Sequence, residues 1–206
     1  LAPADAILAS STSTIPASRF SETIPGRCRI LVAHPVNPPY LVPVVEVCPA
    51  PWTDPAVVER ARAFMAGCGM VPAMLAREID GFVLNRLQAA LLGEAFRLVE
   101  DGIASIEDID ATIRDGLGLR WAFMGPFETI DLNAPGGLAD YCSRYGAALG
   151  NLLAQMTPRP WPPKLVARLE ADRRATLPAP DHAARTAWRD RRLMALLAHK
   201  AGQPSA

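Results

Sequence analysis

The stretch Val32-Ala33-His34-Pro35-Val36-Asn37-Pro38-Pro39-Tyr40-Leu41-Val42-Pro43-Val44-Val45-Glu46-Val47 sets one of the chain's three histidines at the end of an apolar run and a single glutamate inside the next. A run of Val and Ile bounded by Gly, Pro or Asn reads as a buried strand. An ionisable side chain there is costly unless a partner satisfies it. The pattern therefore predicts strands at residues 29–33 and 44–48, with imidazole and carboxylate as mutual partners across a proline-rich loop. So paired, Glu46 fixes the ring tautomer and stabilises the imidazolium as it forms, and the unit can take a proton from an alcohol. Each residue also has a plainer reading, as a satisfied histidine at a strand end and a structural hydrogen-bonding glutamate.

The neighbouring sequence supplies the rest of an α/β pattern. Residues 6–9 and 71–76 are further strand-like runs, and between 48 and 71 Asp54 reads as an N-cap with Pro55 at the first helical position. Val57, Val58, Ala61, Phe64 and Met65 recur at helical spacing, and Gly67 or Gly69 is the stop. From about Ile79 strands vanish and helical periodicity runs to the end, so residues 1–79 form an α/β part and 80–206 an all-α part, with the boundary near 78–81. The segment 82–99 is apolar around most of its circumference, which predicts burial in a bundle or against a second subunit. Ser105 with Asp108 starts the next helix, Gly116 and Gly118 end it, and helices are expected at 138–156, 164–175 and 182–200.

Composition limits the classes of function. With 206 residues, half of them hydrophobic, the chain can bury a substantial core, and 21 basic residues balance 21 acidic ones. No overall field recruits nucleic acid or anionic lipid, and the arginines at 173, 174, 189, 191 and 192 read as a solvated helix face. Cys28, Cys48, Cys68 and Cys142 contain no CxxC pair, which disfavours zinc or a disulfide framework and suits a reducing, cytoplasmic interior. The longest uncharged window, 30–45, is broken by four prolines and a histidine, so no membrane span is expected. The text opens on Leu1 at a strand-like segment, as though an upstream portion were absent.

Three further motifs bear on chemistry. Gly67-Cys68-Gly69-Met70-Val71-Pro72 is the nearest approach to a dinucleotide fingerprint, but it follows a helix and has Pro at the third small position, so it reads as a helix stop. Ser10-Ser11-Thr12-Ser13-Thr14 is a hydroxyl-rich turn directly after a strand, where open α/β sheets place ligand-contacting groups; it reads equally as an N-cap cluster for 15–20. Asn85 sets an amide at the start of an apolar helix, either as a ligand contact or as a first-turn polar residue.

Three ordered blocks carry a resemblance: His34-Pro35-Val36-Asn37-Pro38-Pro39-Tyr40, Glu78-Ile79-Asp80-Gly81-Phe82-Val83-Leu84-Asn85-Arg86-Leu87-Gln88, and Gly116-Leu117-Gly118-Leu119-Arg120-Trp121-Ala122-Phe123-Met124-Gly125-Pro126. In this order they resemble the 3-hydroxyacyl-CoA dehydrogenase family, most closely its lambda-crystallin and L-gulonate 3-dehydrogenase branch, over about residues 5–145. The resemblance implies the C-terminal portion of a Rossmann-type sheet, parallel then antiparallel, followed by a helical substrate and dimerisation domain. It implies NAD as cofactor, a small hydroxy acid as substrate and a homodimer. Catalytic roles fall on His34 and Glu46, substrate contacts on Ser13 and Asn85, and cofactor contacts on Ser13 and Asn37. L-Carnitine or a 3-hydroxyacyl-CoA are the alternative substrates, and a non-catalytic, crystallin-like structural dimer is the alternative of another class. The family's N-terminal β-α-β unit with its glycine-rich loop has no counterpart here. The expectation is a portion of an enzyme that retains its acid-base apparatus but does not bind NAD usefully alone.

Overall fold

The structure, a computed structural model, describes residues 2–203, and it divides into two compact units, Leu1–Ala90 and Leu91–Ala206. In the first, four strands lie in the order β1 (Leu8–Ser10), β2 (Ile30–Pro35), β3 (Val44–Pro49), β4 (Val71–Met74). β1 runs parallel to β2, β2 antiparallel to β3, and β3 parallel to β4. This is the mixed sheet, parallel then antiparallel, that the resemblance implies, with a further parallel pairing of β4, and the Pro-rich segment after β2 is the turn that reverses the chain into β3.

Period-two alternation sorts the side chains of β2 and β3 between two faces. Leu31, Ala33, Val45 and Val47 pack with Ala61 and, partly, Val57, Val58 and Met65 of helix α2 (Pro55–Gly67). Ile30, Val32 and Cys48 point the other way, into a cluster with Ala17, Ala50, Leu75 and Phe82. Each fully buried aliphatic side chain contributes about 1.5–3 kcal/mol by leaving water. By the same parity His34 and Glu46 belong to the Phe82 face, and the antiparallel register sets them directly opposite each other.

Local signals explain the element ends. Asp54 Oδ accepts from Ala56 N at 2.8 Å with Pro55 in the first turn, and α2 closes before Gly69 at φ 78°. The expected helix at 15–20 is shorter and later, α1 (Ser18–Ser21), without a side-chain cap; Thr12 Oγ1 instead accepts from Ile15 N at 3.3 Å within the preceding turn. The Ser18 N–H is met from a distance in sequence, by Glu78 Oε1 at 2.8 Å.

Helix α3 (Leu84–Glu100) begins two residues later than periodicity predicts, because Gly81 (φ 78°) and Phe82 (φ 52°) are both left-handed. None of its residues is buried within this chain, and Leu87 is 63% exposed, so the described residues do not supply the bundle that was one of the two expected settings for this helix. An apolar circumference records what a helix is able to bury, and no described segment of this chain encloses it.

In the second unit, Ser105 caps α4 (Ile106–Ala111) as expected, with Oγ accepting from Asp108 N at 3.1 Å and donating to Asp108 Oδ2 at 2.7 Å. Gly116 and Gly118 do not end the helix. The chain widens into a π-helical turn, Thr112–Leu117, and continues as α5 (Gly118–Trp121), with Gly118 N–H bonded to the carbonyl of Ile113 five residues back. A Cβ at Gly118 would lie 2.8 Å from that carbonyl oxygen, so the glycine serves close backbone approach and not a left-handed stop. Helices α6 (Pro126–Leu132), α7 (Gly137–Gln155), α8 (Pro163–Thr176) and α9 (His182–Ala201) follow. The Pro-rich connector before α8 is fastened to the end of α3: Trp161 stacks on Phe96 at 4.2 Å, and Arg159 Nη1 reaches Asp101 Oδ1 at 2.6 Å. Several of the clustered arginines face their own surface, Arg174 toward Glu170 at 2.9 Å, Arg173 toward Asp110 at 3.8 Å and Arg192 over the Trp188 ring. No helix of the described residues is long and apolar enough to cross a membrane.

Candidate active site

His34 lies at the carboxyl end of β2, and Glu46 opposite it near the start of β3, so both stand at the sheet edge where β1 also ends. That edge, beyond the carboxyl ends of parallel strands, is where open α/β sheets bind ligands. His34 Nδ1 and Glu46 Oε2 are 2.8 Å apart, with the residues only 5% and 2% exposed. The second carboxylate oxygen is occupied as well: Oε1 accepts from Val83 N at 2.8 Å and from Leu84 N at 2.9 Å, the first free peptide N–H groups at the start of α3.

Glu46 thus occupies the position of a helix N-cap, although it comes from a strand 37 residues earlier than Val83. Two N–H donors and the positive end of the helix dipole compensate its removal from water. With Oε1 taken and Oε2 offering only lone pairs, Nδ1 carries the ring hydrogen and donates it. Nε2 is then left with its lone pair, the form in which an imidazole removes a proton.

The turn that aims those N–H groups is Gly81-Phe82. Phe82 is fully buried, its ring centroid 5.6 Å from that of His34 at an interplanar angle of 39°. Gly81 N also donates to the carbonyl of Thr14 at 3.2 Å. One residue into α3, Asn85 Nδ2 donates to the Ser13 carbonyl at 2.6 Å. The hydroxyl-rich turn after β1 is therefore tied to the same helix start that holds Glu46. Ser13 is exposed and Asn85 half-buried, while Asn37 is exposed in the loop after β2 and makes no described contact with the others.

Cys48 shares the Glu46 face, fully buried, and burial first, with the charges of Glu78 and Glu46 second, pushes its thiol up to about 11. Neither Phe82 nor the Val83 and Leu84 N–H groups stand out in sequence. The signal available was that a buried carboxylate has more acceptor sites than one imidazole fills, followed downstream by a glycine at a helix start. Gly67 and Gly69 end α2 and follow no strand, so no glycine-rich strand-to-helix loop is present among the described residues.

Comparison with known proteins agrees with this architecture. Residues 1–79 match the family profile described as 3-hydroxyacyl-CoA dehydrogenase, NAD binding domain, and residues 81–177 the corresponding C-terminal domain. A lambda-crystallin homolog of Bos taurus is 47% identical over 194 residues, 92% of this chain and 60% of its own length. An L-carnitine dehydrogenase of Streptomyces griseus is 43% identical over 148 residues, 71% of this chain and 44% of its own. Among solved structures, a 5-formyl-3-hydroxy-2-methylpyridine 4-carboxylic acid 5-dehydrogenase described as an NAD+-dependent dismutase superposes with a TM-score of 0.85 at 28% identity, covering 99% of this chain and 67% of that one. The chain spans about 60% of the length of the lambda-crystallin homologs it matches. Two consecutive domain profiles and near-half identity along most of its residues place the chain in the 3-hydroxyacyl-CoA dehydrogenase family.

Proposed function

We propose that the protein containing this chain is an NAD-dependent dehydrogenase that oxidises the 3-hydroxyl of a small hydroxy acid, with L-gulonate as the leading substrate and L-carnitine or a 3-hydroxyacyl-CoA as alternatives. The observation that carries this reading is the buried contact of His34 with Glu46 at 2.8 Å, with the other carboxylate oxygen held by two peptide N–H groups. In this assignment His34 Nε2 removes the hydroxyl proton of the substrate. Glu46 keeps the ring in the required tautomer and meets the positive charge that develops on it. Ser13 and Asn85, joined through the Ser13 carbonyl, hold the substrate oxygen in line.

The described residues suit one end of the dinucleotide. Ser13 and Asn37 follow β1 and β2 at the ligand-binding sheet edge and would face the nicotinamide. The cofactor, when bound, accepts the hydride from the carbinol carbon. No described loop offers the pyrophosphate the peptide N–H groups that it requires. The division at residues 79 and 80 assigns the sheet to cofactor binding and the helices to substrate and to a second copy of the chain. Exposed apolar side chains such as Leu119, Phe127, Leu132 and Leu153 suit such a homodimer, and free cysteines suit the cytoplasm.

The test is the intact protein assayed with L-gulonate, L-carnitine and acetoacetyl-CoA, beside its His34→Ala variant. One substrate should turn over, and loss of the general base should cost on the order of 10²–10⁴ in kcat. Equal turnover in His34→Ala removes the histidine from this role, and no turnover of any of the three favours the structural dimer.

A further inference from the structure

Phe82 is where sequence and backbone disagree most. A bulky aromatic residue at φ 52° sits in the left-handed region that L side chains other than Asn, Asp and His seldom adopt. It follows Gly81, which reaches φ 78° without strain, so the left-handed turn extends one residue beyond the one suited to it. Strain of this kind persists where the surroundings over-determine it. Here the surroundings are evident: the ring is wholly buried among Ala17, Ile30, Val32 and Cys48, and it lies against the His34 imidazole. The strained residue is followed directly by the two N–H groups that grip Glu46 Oε1. A right-handed residue at 82 would start the helix earlier and set another turn of backbone between those donors and the strand.

Building on the proposed role of His34, we infer that Phe82 is a positioning residue for the acid-base pair. Its buried ring pins a left-handed backbone that presents the Val83 and Leu84 N–H groups to Glu46, and through Glu46 it sets which nitrogen of His34 carries the hydrogen. Aromatic bulk serves twice, as the anchor of the turn and as the apolar wall that keeps water from the imidazole–carboxylate contact. Glycine would take the same φ more readily, and its absence here is explained by the need for an anchor.

The experiment reads the imidazole directly. With only three histidines in the chain, nitrogen-15 labelling resolves the Nδ1–H of His34, a downfield resonance absent from exposed rings. In Phe82→Leu this resonance should vanish by exchange with water, and kcat of the intact protein should fall tenfold or more, on the order of one hydrogen bond's loss, with KM for NAD within about twofold. Leu75→Ala, in the same cluster but outside the left-handed turn, lowers stability and should leave the resonance in place. A Phe82→Leu protein that keeps both the resonance and its turnover overturns the inference. Should that variant not fold, hydrogen exchange of the unmodified protein decides: the Val83 and Leu84 amides should exchange on the order of a hundredfold more slowly than that of Asp80. Equal rates overturn it. The imidazole resonance tests the turn alone, whereas turnover of His34→Ala tests the functional assignment, so the two fail separately.

Discussion

Replacing Glu46 by glutamine keeps its size and nearly all of its contacts, yet the geometry predicts a severe loss of activity. The glutamine amide must choose which end to give to α3. Facing its NH2 toward Val83 and Leu84 would oppose donors to donors and leave two part-buried N–H groups unmet, at about 1–3 kcal/mol each and so about 2–6 kcal/mol together. At about 1.4 kcal/mol per factor of ten, no more than about one molecule in twenty-five adopts that orientation. In the rest the carbonyl stays with α3 and the NH2 points at His34 Nδ1, where it can only donate. Nδ1 must then accept, the ring hydrogen moves to Nε2, and the lone pair that the proposed mechanism uses to remove the substrate proton is gone. The expected fall in kcat lies between about 25-fold, from the orientation ratio alone, and about 10⁴-fold, the effect of the wrong tautomer in a carboxylate-to-amide exchange elsewhere. Initial rates of NADH formation by the intact protein measure it, with circular dichroism to show that the fold is kept. A Glu46→Gln variant within about threefold of the parent, too small for a tautomer effect, would refute the reasoning.

Two further predictions concern stability. Because the folded state raises the Cys48 thiol to about 11, the native protein holds that proton more tightly than the unfolded chain does. The associated stability is whole below the ordinary thiol range near 8.5 and is lost as pH rises toward about 11, on the order of 3 kcal/mol in all. Urea midpoints at rising alkaline pH should show this slope, and Cys48→Ala should flatten it; equal slopes would contradict the assignment. Leu31→Ala removes a fully buried side chain facing α2 and should destabilise by about 2–5 kcal/mol in urea unfolding, and a cost below about 1 kcal/mol would mean that the sheet–helix layer is not the core.

The parts of the fold legible in the sequence are those in which side-chain identity decides backbone conformation. β2 and β3 announce themselves as β-branched runs, and Asp54-Pro55 as a helix start. His34 and Glu46 are legible as two costly groups in adjacent strands. The further partners of Glu46 are not, since peptide N–H groups have no residue identity to display. Phe82 reads as one more apolar position of a helical stripe, which hides the left-handed turn and shifts the start of α3 to Leu84. Helix α6, seven residues long, is too short for periodicity to reveal even with Pro126 at its start. The exposure of α3 lies beyond sequence altogether, because hydropathy states what a surface favours and not what is there to cover it.

The wide turn at Thr112–Leu117 alters the angular bookkeeping of everything that follows it. Each helical residue advances the side-chain direction by about 100°, and a turn that takes in one residue more than usual rotates the whole downstream segment by that amount. Leu119, Arg120 and Trp121 therefore emerge on a different bearing from the one an unbroken spiral through Ile109 and Ile113 would give them. Excising a single residue between Ile113 and Gly118 would restore the ordinary pitch and turn the guanidinium and indole together by about 100°.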